Sequence, residues 1–263
     1  MSYVISWVGT KDGQGLTTTL LSVAFEIAHS HSVLVVDADM SGTSTALDHL
    51  HLHPHGRGMN NLVGMSKITQ DTLLRQVIQT RHPRVHLVPG LMAICGTGTA
   101  DFIGQLERGG ALADLPYDFV LFDMGAAWSH ALLESPRSAA QAVGRISARV
   151  FVLMHDSPAR IARSIQVLQA AQPPRAEIVL VETRGGALSQ QVREVLAQRL
   201  PSIALAARVR WEPRRAIAAE NAGVPISRVG EEVVRAAQIV DRARAVLHAR
   251  RQQLTTGEAG VAG

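Results

Sequence analysis

The stretch Thr10-Lys11-Asp12-Gly13-Gln14-Gly15-Leu16-Thr17-Thr18 decides how this chain is read. It follows an apolar run, Tyr3-Val4-Ile5-Ser6-Trp7-Val8, and opens an amphipathic stretch from Leu20 to Ala28. Strand, glycine-rich turn and helix, in that order, are the context a phosphate-binding loop requires. Backbone N–H groups of such a turn and of the helix start converge into an anion site. In the standard loop a lysine precedes the Ser or Thr that holds magnesium. Leu16 takes that place here, with Thr17 and Thr18 after it. The scaffold for a phosphate is present, and one of its main charges is not.

Outward from the loop, short apolar runs recur: 33–36, 85–88, 119–122, 150–154, 178–181 and Ile203-Ala204-Leu205-Ala206. Continuous aliphatic runs of this length suit strands buried on both faces of a parallel sheet. Between them, Ile161 to Ala170 and Leu188 to Leu200 carry apolar residues at helical spacing. The alternation predicts a three-layer, doubly wound α/β fold with a mainly parallel sheet, its ligands at the carboxyl ends of the strands. No linker or repeat divides the chain, so residues 1–251 are expected to form one domain and 252–263, small and polar, a disordered tail.

Composition narrows the classes further. The chain has 263 residues, within reach of a single α/β domain, and is mildly basic at +4. Lys11 and Lys67 are the only lysines, so the cations are nearly all arginine. That bias has two readings, genome base composition or a surface for an acidic partner. The single cysteine, Cys95, excludes an internal disulfide and a cysteine-built zinc site. No apolar run reaches the roughly 18–20 residues of a membrane span. The opening Met1-Ser2-Tyr3-Val4 lacks the charged start of a signal peptide, and a cytoplasmic protein is expected.

Later carboxylates give the loop its chemistry. Val35-Val36-Asp37-Ala38-Asp39 sets two aspartates at the end of the second apolar run, and Phe119-Val120-Leu121-Phe122-Asp123 sets another at the end of a later one. Strands that end in Asp suit a magnesium–phosphate site, because a hard cation takes oxygen ligands directly or through water.

Together these residues resemble the ParA/MinD family of deviant P-loop ATPases, whose loop reads K-G-G-x-G-K-T-T. Lys11 matches the family's early lysine, which reaches the nucleotide of the partner subunit in a sandwich dimer. Gly13 and Gly15 match two glycines, and Thr17 matches the magnesium ligand. Val36-Asp37-Ala38-Asp39-Met40-Ser41-Gly42 looks like the D-x-D-P-Q-G segment, in which Asp39 would orient the attacking water and Asp37 would lie near the metal. Asp123 resembles the Walker B aspartate. Trp211-Glu212-Pro213-Arg214-Arg215 and Glu220-Asn221-Ala222-Gly223-Val224-Pro225-Ile226 look like the family's I-P-x-D and A-x-x-G-x-P segments. The resemblance thus runs from Tyr3 to about Ile226. It implies ATP or ADP with Mg²⁺ as ligand. Gly13, Gln14, Gly15, Leu16, Thr17 and Thr18 would hold the phosphates, Thr17, Asp37 and Asp123 the metal, and Lys11 and Asp39 would be catalytic.

The departures weaken the expected activity. Thr10 and Asp12 replace glycines, Arg210 replaces a proline, and Thr183-Arg184 stands where the family often has Asn-Arg. A charged hydrogen bond is worth about 1.5–3 kcal/mol, so Leu16 implies nucleotide binding weaker by about 10–100-fold. It also removes charge from the phosphoryl-transfer transition state. Slow or absent hydrolysis follows.

Within the family, Ala46-Leu47-Asp48, Gly58-Met59-Asn60-Asn61-Leu62-Val63 and 80–89 look similar to the CpaE/TadZ-like branch, which positions pilus or secretion machinery. The resemblance implies a homodimer that docks protein partners. A DNA-partitioning ATPase binding non-specific DNA is the second reading, and a scaffold that has lost its nucleotide is the third. For DNA, the candidate contacts are Arg193, Arg199, Arg208, Arg210, Arg214 and Arg215.

Three further features have ordinary readings. His49, His51, His53 and His55 alternate as a metal-binding strand would, but Pro54 and Gly56 favour a solvated loop. From Glu231 to Arg251, Val233, Ala237, Val240, Ala243 and Leu247 form a helical stripe that lacks bulky membrane anchors and reads as packing on the sheet. Trp7 reads as core. Trp128, in the loop after Asp123, is open to a partner contact.

Overall fold

The computed structural model describes residues 2–11, 13–42, 45–93, 96–129, 134–183 and 187–246. Asp12, Cys95, Arg184, Leu247 and the 252–263 segment lie outside them. Eight strands form one sheet in the order β3-β4-β2-β5-β1-β6-β7-β8. They are β1 (Tyr3–Gly9), β2 (Val33–Asp37), β3 (Ile78–Gln79), β4 (Val85–Val88), β5 (Phe119–Asp123), β6 (Arg149–His155), β7 (Ala176–Glu182) and β8 (Ala204–Arg210). Every pairing is parallel except β3 with β4.

Because side chains alternate across a strand, β1 feeds two cores. Val4 and Val8 join one apolar cluster with α4 (Thr99–Gly109), α5 (Pro136–Ile146), α6 (Pro158–Ala171) and α7 (Ala187–Arg199). Tyr3, Ile5 and Trp7 join the other, with α1 (Leu16–Ile27), α2 (Ala46–Leu50) and α9 (Ser227–Ala236). Helices on both faces of a mostly parallel sheet make the three-layer, doubly wound fold. The remaining helices are α3 (Gln70–Leu74) and α8 (Pro213–Ala222).

The chain runs from β1 to β2 on one side, and from β5 to β6 on the other side of β1. That reversal puts a crevice at the carboxyl ends of β1, β2 and β5, the place where open α/β sheets bind ligands.

Two expectations shift. The last strand begins at Ala204 and continues to Arg210, past the apolar run that suggested 203–206. It is an edge strand, with Ala207 and Val209 buried and Arg208 and Arg210 exposed. The C-terminal helix is interrupted: α9 ends at Ala236, Gln238 takes a positive φ of 50°, and helix resumes over 239–246. Its expected stripe is packed as anticipated, with Val233, Ala237 and Ala243 buried together with Ile239. Gly230 fits so closely on α1 that a Cβ there would lie 2.1 Å from the Ser22 carbonyl oxygen. Among the described residues no helix is long and apolar enough to cross a membrane.

A buried clamp ties this C-terminal unit to the sheet. The Arg149 guanidinium donates to both Glu177 carboxylate oxygens at 2.7 and 2.6 Å and to the Ala237 carbonyl at 2.7 Å. It also lies 4.5 Å from the centre of the Phe151 ring.

Candidate functional site

The glycine-rich loop leaves β1 at Gly9 and enters α1 at Leu16. Gly15, at φ 74°, takes the left-handed conformation that glycine adopts without steric cost and caps the helix. No side chain caps that end, and α1 is 12 residues long, so its first N–H groups remain available to an anion.

The path of the loop is fixed by neighbours on three sides. The Gly9 N–H donates to the Gly125 carbonyl at 2.8 Å, and the Ser129 hydroxyl to the Thr10 carbonyl at 2.6 Å. The Thr10 and Ser164 hydroxyls are 2.5 Å apart, which explains a threonine where a glycine is usual. The Gln14 side chain folds back onto Thr10, accepting its N–H at 3.2 Å. The His155 ring Nε2 lies 3.0 Å from the Gln14 carbonyl. A carbonyl only accepts, so Nε2 carries the proton. Burial lowers the pKa of His155, so the ring is held neutral, and its Nδ1 is buried with no hydrogen-bond partner.

A cleft of about 370 Å³ opens over this loop. Lys11, Gly13, Gln14, Gly15, Leu16, Thr17, Thr18, Asp39 and Asp123 all line it. Asp37 is brought to the same end of the sheet, opposite Asp123 in the β2–β5 register, but it is buried and outside the cleft lining. The Thr17 hydroxyl donates to Asp123 Oδ2 at 2.7 Å, and the Gly125 N–H to Oδ1 at 3.0 Å. Burial pushes the Asp123 carboxyl up to about 6, against the effect of those two hydrogen bonds. Asp39 accepts the Ser41 N–H at 2.9 Å and lies over Gly125, where a Cβ would come within 2.3 Å of its carboxyl carbon.

Leu16 is buried in the apolar cluster of α1, with Trp7 and Leu20. Its side chain is therefore structural. The cation the motif lacks is replaced by packing.

The donors suit magnesium. Thr17, Asp39 and Asp123 offer oxygen only. Among the described residues no group of three carboxylates, histidines or cysteines is gathered closely enough to hold an ion unaided. Mg²⁺ is commonly held by one or two protein oxygens together with water and phosphate, which this arrangement fits.

Several site residues were not expected from the sequence. His49 is on helix α2, half-buried and lining the cleft, with Nε2 3.5 Å from the Thr18 hydroxyl. It is therefore no part of a solvated loop, although His51, His53 and His55 are exposed. Burial lowers its pKa, opposed by Glu220 and Asp48. Trp211 lies against Gly15, whose Cβ position is 3.4 Å from the indole ring. Trp128, open to a partner contact in the sequence reading, is fully buried. The signal for His155 was present: like Asp123, it is a polar residue ending an apolar strand.

No protein-family model matches the chain, and no curated protein does. Solved structures do. A ParA family ATPase from Chlorobium tepidum superposes with a TM-score of 0.68 at 17% identity, over 92% of this chain and 99% of that one. A chain of the MinC:MinD cell division protein complex of Aquifex aeolicus gives 0.67 at 15% identity, over 91% and 96%. The septum site-determining protein MinD of Pyrococcus horikoshii, complexed with Mg-ADP, gives 0.65 at 15% identity, over 94% and 98%. The fold is that of the ParA/MinD ATPases.

Proposed function

We propose that this chain is a nucleotide-binding organiser of the ParA/MinD kind, a slow switch rather than a fast enzyme. The observation that carries the reading is the Thr17–Asp123 hydrogen bond in the lining of the cleft. It pairs the hydroxyl and the carboxylate that a magnesium–phosphate site needs, at the foot of a loop whose N–H groups converge.

In this reading Gly13, Gly15 and the start of α1 hold the phosphates of ATP or ADP. Thr17 and Asp123 hold Mg²⁺, directly or through water. Asp39 orients the attacking water, and Lys11, exposed at the rim, serves the nucleotide of a second copy. The metal supplies charge to the developing phosphates. The missing cis lysine leaves that charge incomplete, so turnover is slow and the bound state long-lived. Such a dimer would dock partner proteins, in the finer reading those of pilus or secretion assembly.

The DNA-partitioning alternative has less support. Arg193 and Arg199 lie on α7, on the opposite face of the sheet from α8 with Arg214 and Arg215. Arg208 and Arg215 are paired with Glu182 and Glu212. Salt-sensitive binding of arbitrary duplex DNA would favour the alternative.

Titration calorimetry with Mg-ATP tests the main proposal. No heat of binding at millimolar nucleotide would sink it and leave a nucleotide-free scaffold.

A further inference from the structure

A second crater, of about 230 Å³, lies between the glycine-rich loop and the first turns of α6. Its walls include Thr10, Lys11, Gln14, Arg160, Arg163 and Ser164. Three are cations, and among the described residues no carboxylate lines it. Nor, among the described residues, does any of the three cations have an ion-pair partner within 4 Å. Elsewhere Arg145, Arg215 and Arg228, on α5, α8 and α9, each pair with a nearby carboxylate.

Three like charges around one cavity repel unless something negative lies between them. The crater has the volume of about eight waters, enough for a phosphoryl group. Its floor is rigid, since Thr10, Gln14 and Ser164 are buried and hydrogen-bonded to one another. Ala159, in the first turn of α6, also lines the crater, and no side chain caps the start of that 14-residue helix. Guanidinium groups bind phosphate with two parallel hydrogen bonds each, stronger than neutral ones.

We propose that this crater is a second anion site, separate from the cleft over Thr17 and Asp123, and that it takes a phosphoryl group on Arg160 and Arg163 with Lys11 at its rim. The group is either free inorganic phosphate or pyrophosphate, or a phosphate of a nucleotide. The site does not depend on the nucleotide reading of the cleft, because it shares only Lys11 and Gln14 with the cleft lining.

The test is titration of the full-length chain with pyrophosphate in EDTA at fixed ionic strength. Wild type binds, and the double variant Arg160→Ala/Arg163→Ala binds at least about tenfold more weakly, the loss of roughly one charged hydrogen bond. Arg160→Lys/Arg163→Lys retains most of the affinity, while Thr17→Ala spares the part of it that the double alanine variant loses. With Mg-ATP in the cleft the order reverses: Thr17→Ala weakens binding and the double alanine variant does not. Two Mg-ATP per chain, falling to one in the double variant, would identify the nucleotide as the source of the phosphate. One per chain, with pyrophosphate binding in addition, would identify the free anion. If wild type binds pyrophosphate but not Mg-ATP, the nucleotide reading falls and this one stands. Unchanged pyrophosphate affinity in the double variant, or equal loss of both ligands, overturns it.

Discussion

The Thr17 hydroxyl donates to Asp123 Oδ2 across 2.7 Å, joining the first turn of α1 to the carboxyl end of β5. In the proposed reading both oxygens turn toward the metal, so this contact would mark where the ion is recruited. Thr17→Ala is expected to weaken Mg-ATP binding by about tenfold or more and to abolish its dependence on added Mg²⁺. Calorimetry with and without EDTA measures both. Equal affinities in wild type and variant would remove Thr17 from the site.

Asp123 gives a pH signature in the nucleotide-free protein. Its carboxyl ordinarily titrates at 3.8 and is pushed up to about 6 by burial. Between those values the folded chain holds a proton that the unfolded chain has released. Its stabilising contribution is therefore complete at the acid end and is lost as pH rises through 6, by about 1.4 kcal/mol per pH unit across the window. Asp123→Asn lacks the ionisation, so its Tm in EDTA should gain on that of wild type as pH rises from 3.8 to about 6. Parallel Tm–pH profiles would refute the assignment.

Leu16→Lys restores the charge but removes a leucine from a packed cluster. Mg-ATP affinity should rise by about 10–100-fold and hydrolysis should become measurable. Folding stability should fall by about 1.5–3 kcal/mol, the value of a buried leucine side chain. Phosphate release and urea unfolding read the two effects separately. Unchanged affinity and turnover would show that the missing charge is not what limits this site.

The clamp on the C-terminal unit is open to the same measurement. Among the described residues, Arg149→Ala leaves Glu177 with Arg242 alone as ion-pair partner, at 3.6 Å, and it frees the Ala237 carbonyl. Breaking a buried pair costs about 3–5 kcal/mol. Arg228→Ala, at an exposed pair, should cost under about 1 kcal/mol. Similar urea midpoints for the two variants would show that the buried clamp does not hold the fold together.

Much of this was legible in the sequence because it is local. The apolar runs at 85–88, 119–122 and 150–154 became β4, β5 and β6, with ends moved by a residue or none. Lys11, Gly13 to Thr18, Asp39 and Asp123 converge on one cleft because each follows the carboxyl end of a neighbouring strand. What stayed hidden is contact between distant segments. His155 reaches Gln14 across 141 positions, and Trp211 lies on Gly15 from beyond β8. The β8 shift had a local cue, the alternation of Ala207 and Val209 with Arg208 and Arg210, but the apolar run before it was the louder signal. The two-residue β3 is too short to leave a pattern.

The bonds from Ser164, Ser129, His155 and Gly125 to the loop have a consequence for how such chains diverge. A loop shaped by the protein around it, rather than by the phosphate inside it, keeps its course when a phosphate-contacting side chain is exchanged. Leucine can stand where the phosphate-binding motif has lysine without the backbone losing its way. Shape and charge can then drift at different speeds, and a chain can keep a ParA/MinD fold at 15–17% identity while matching no family model.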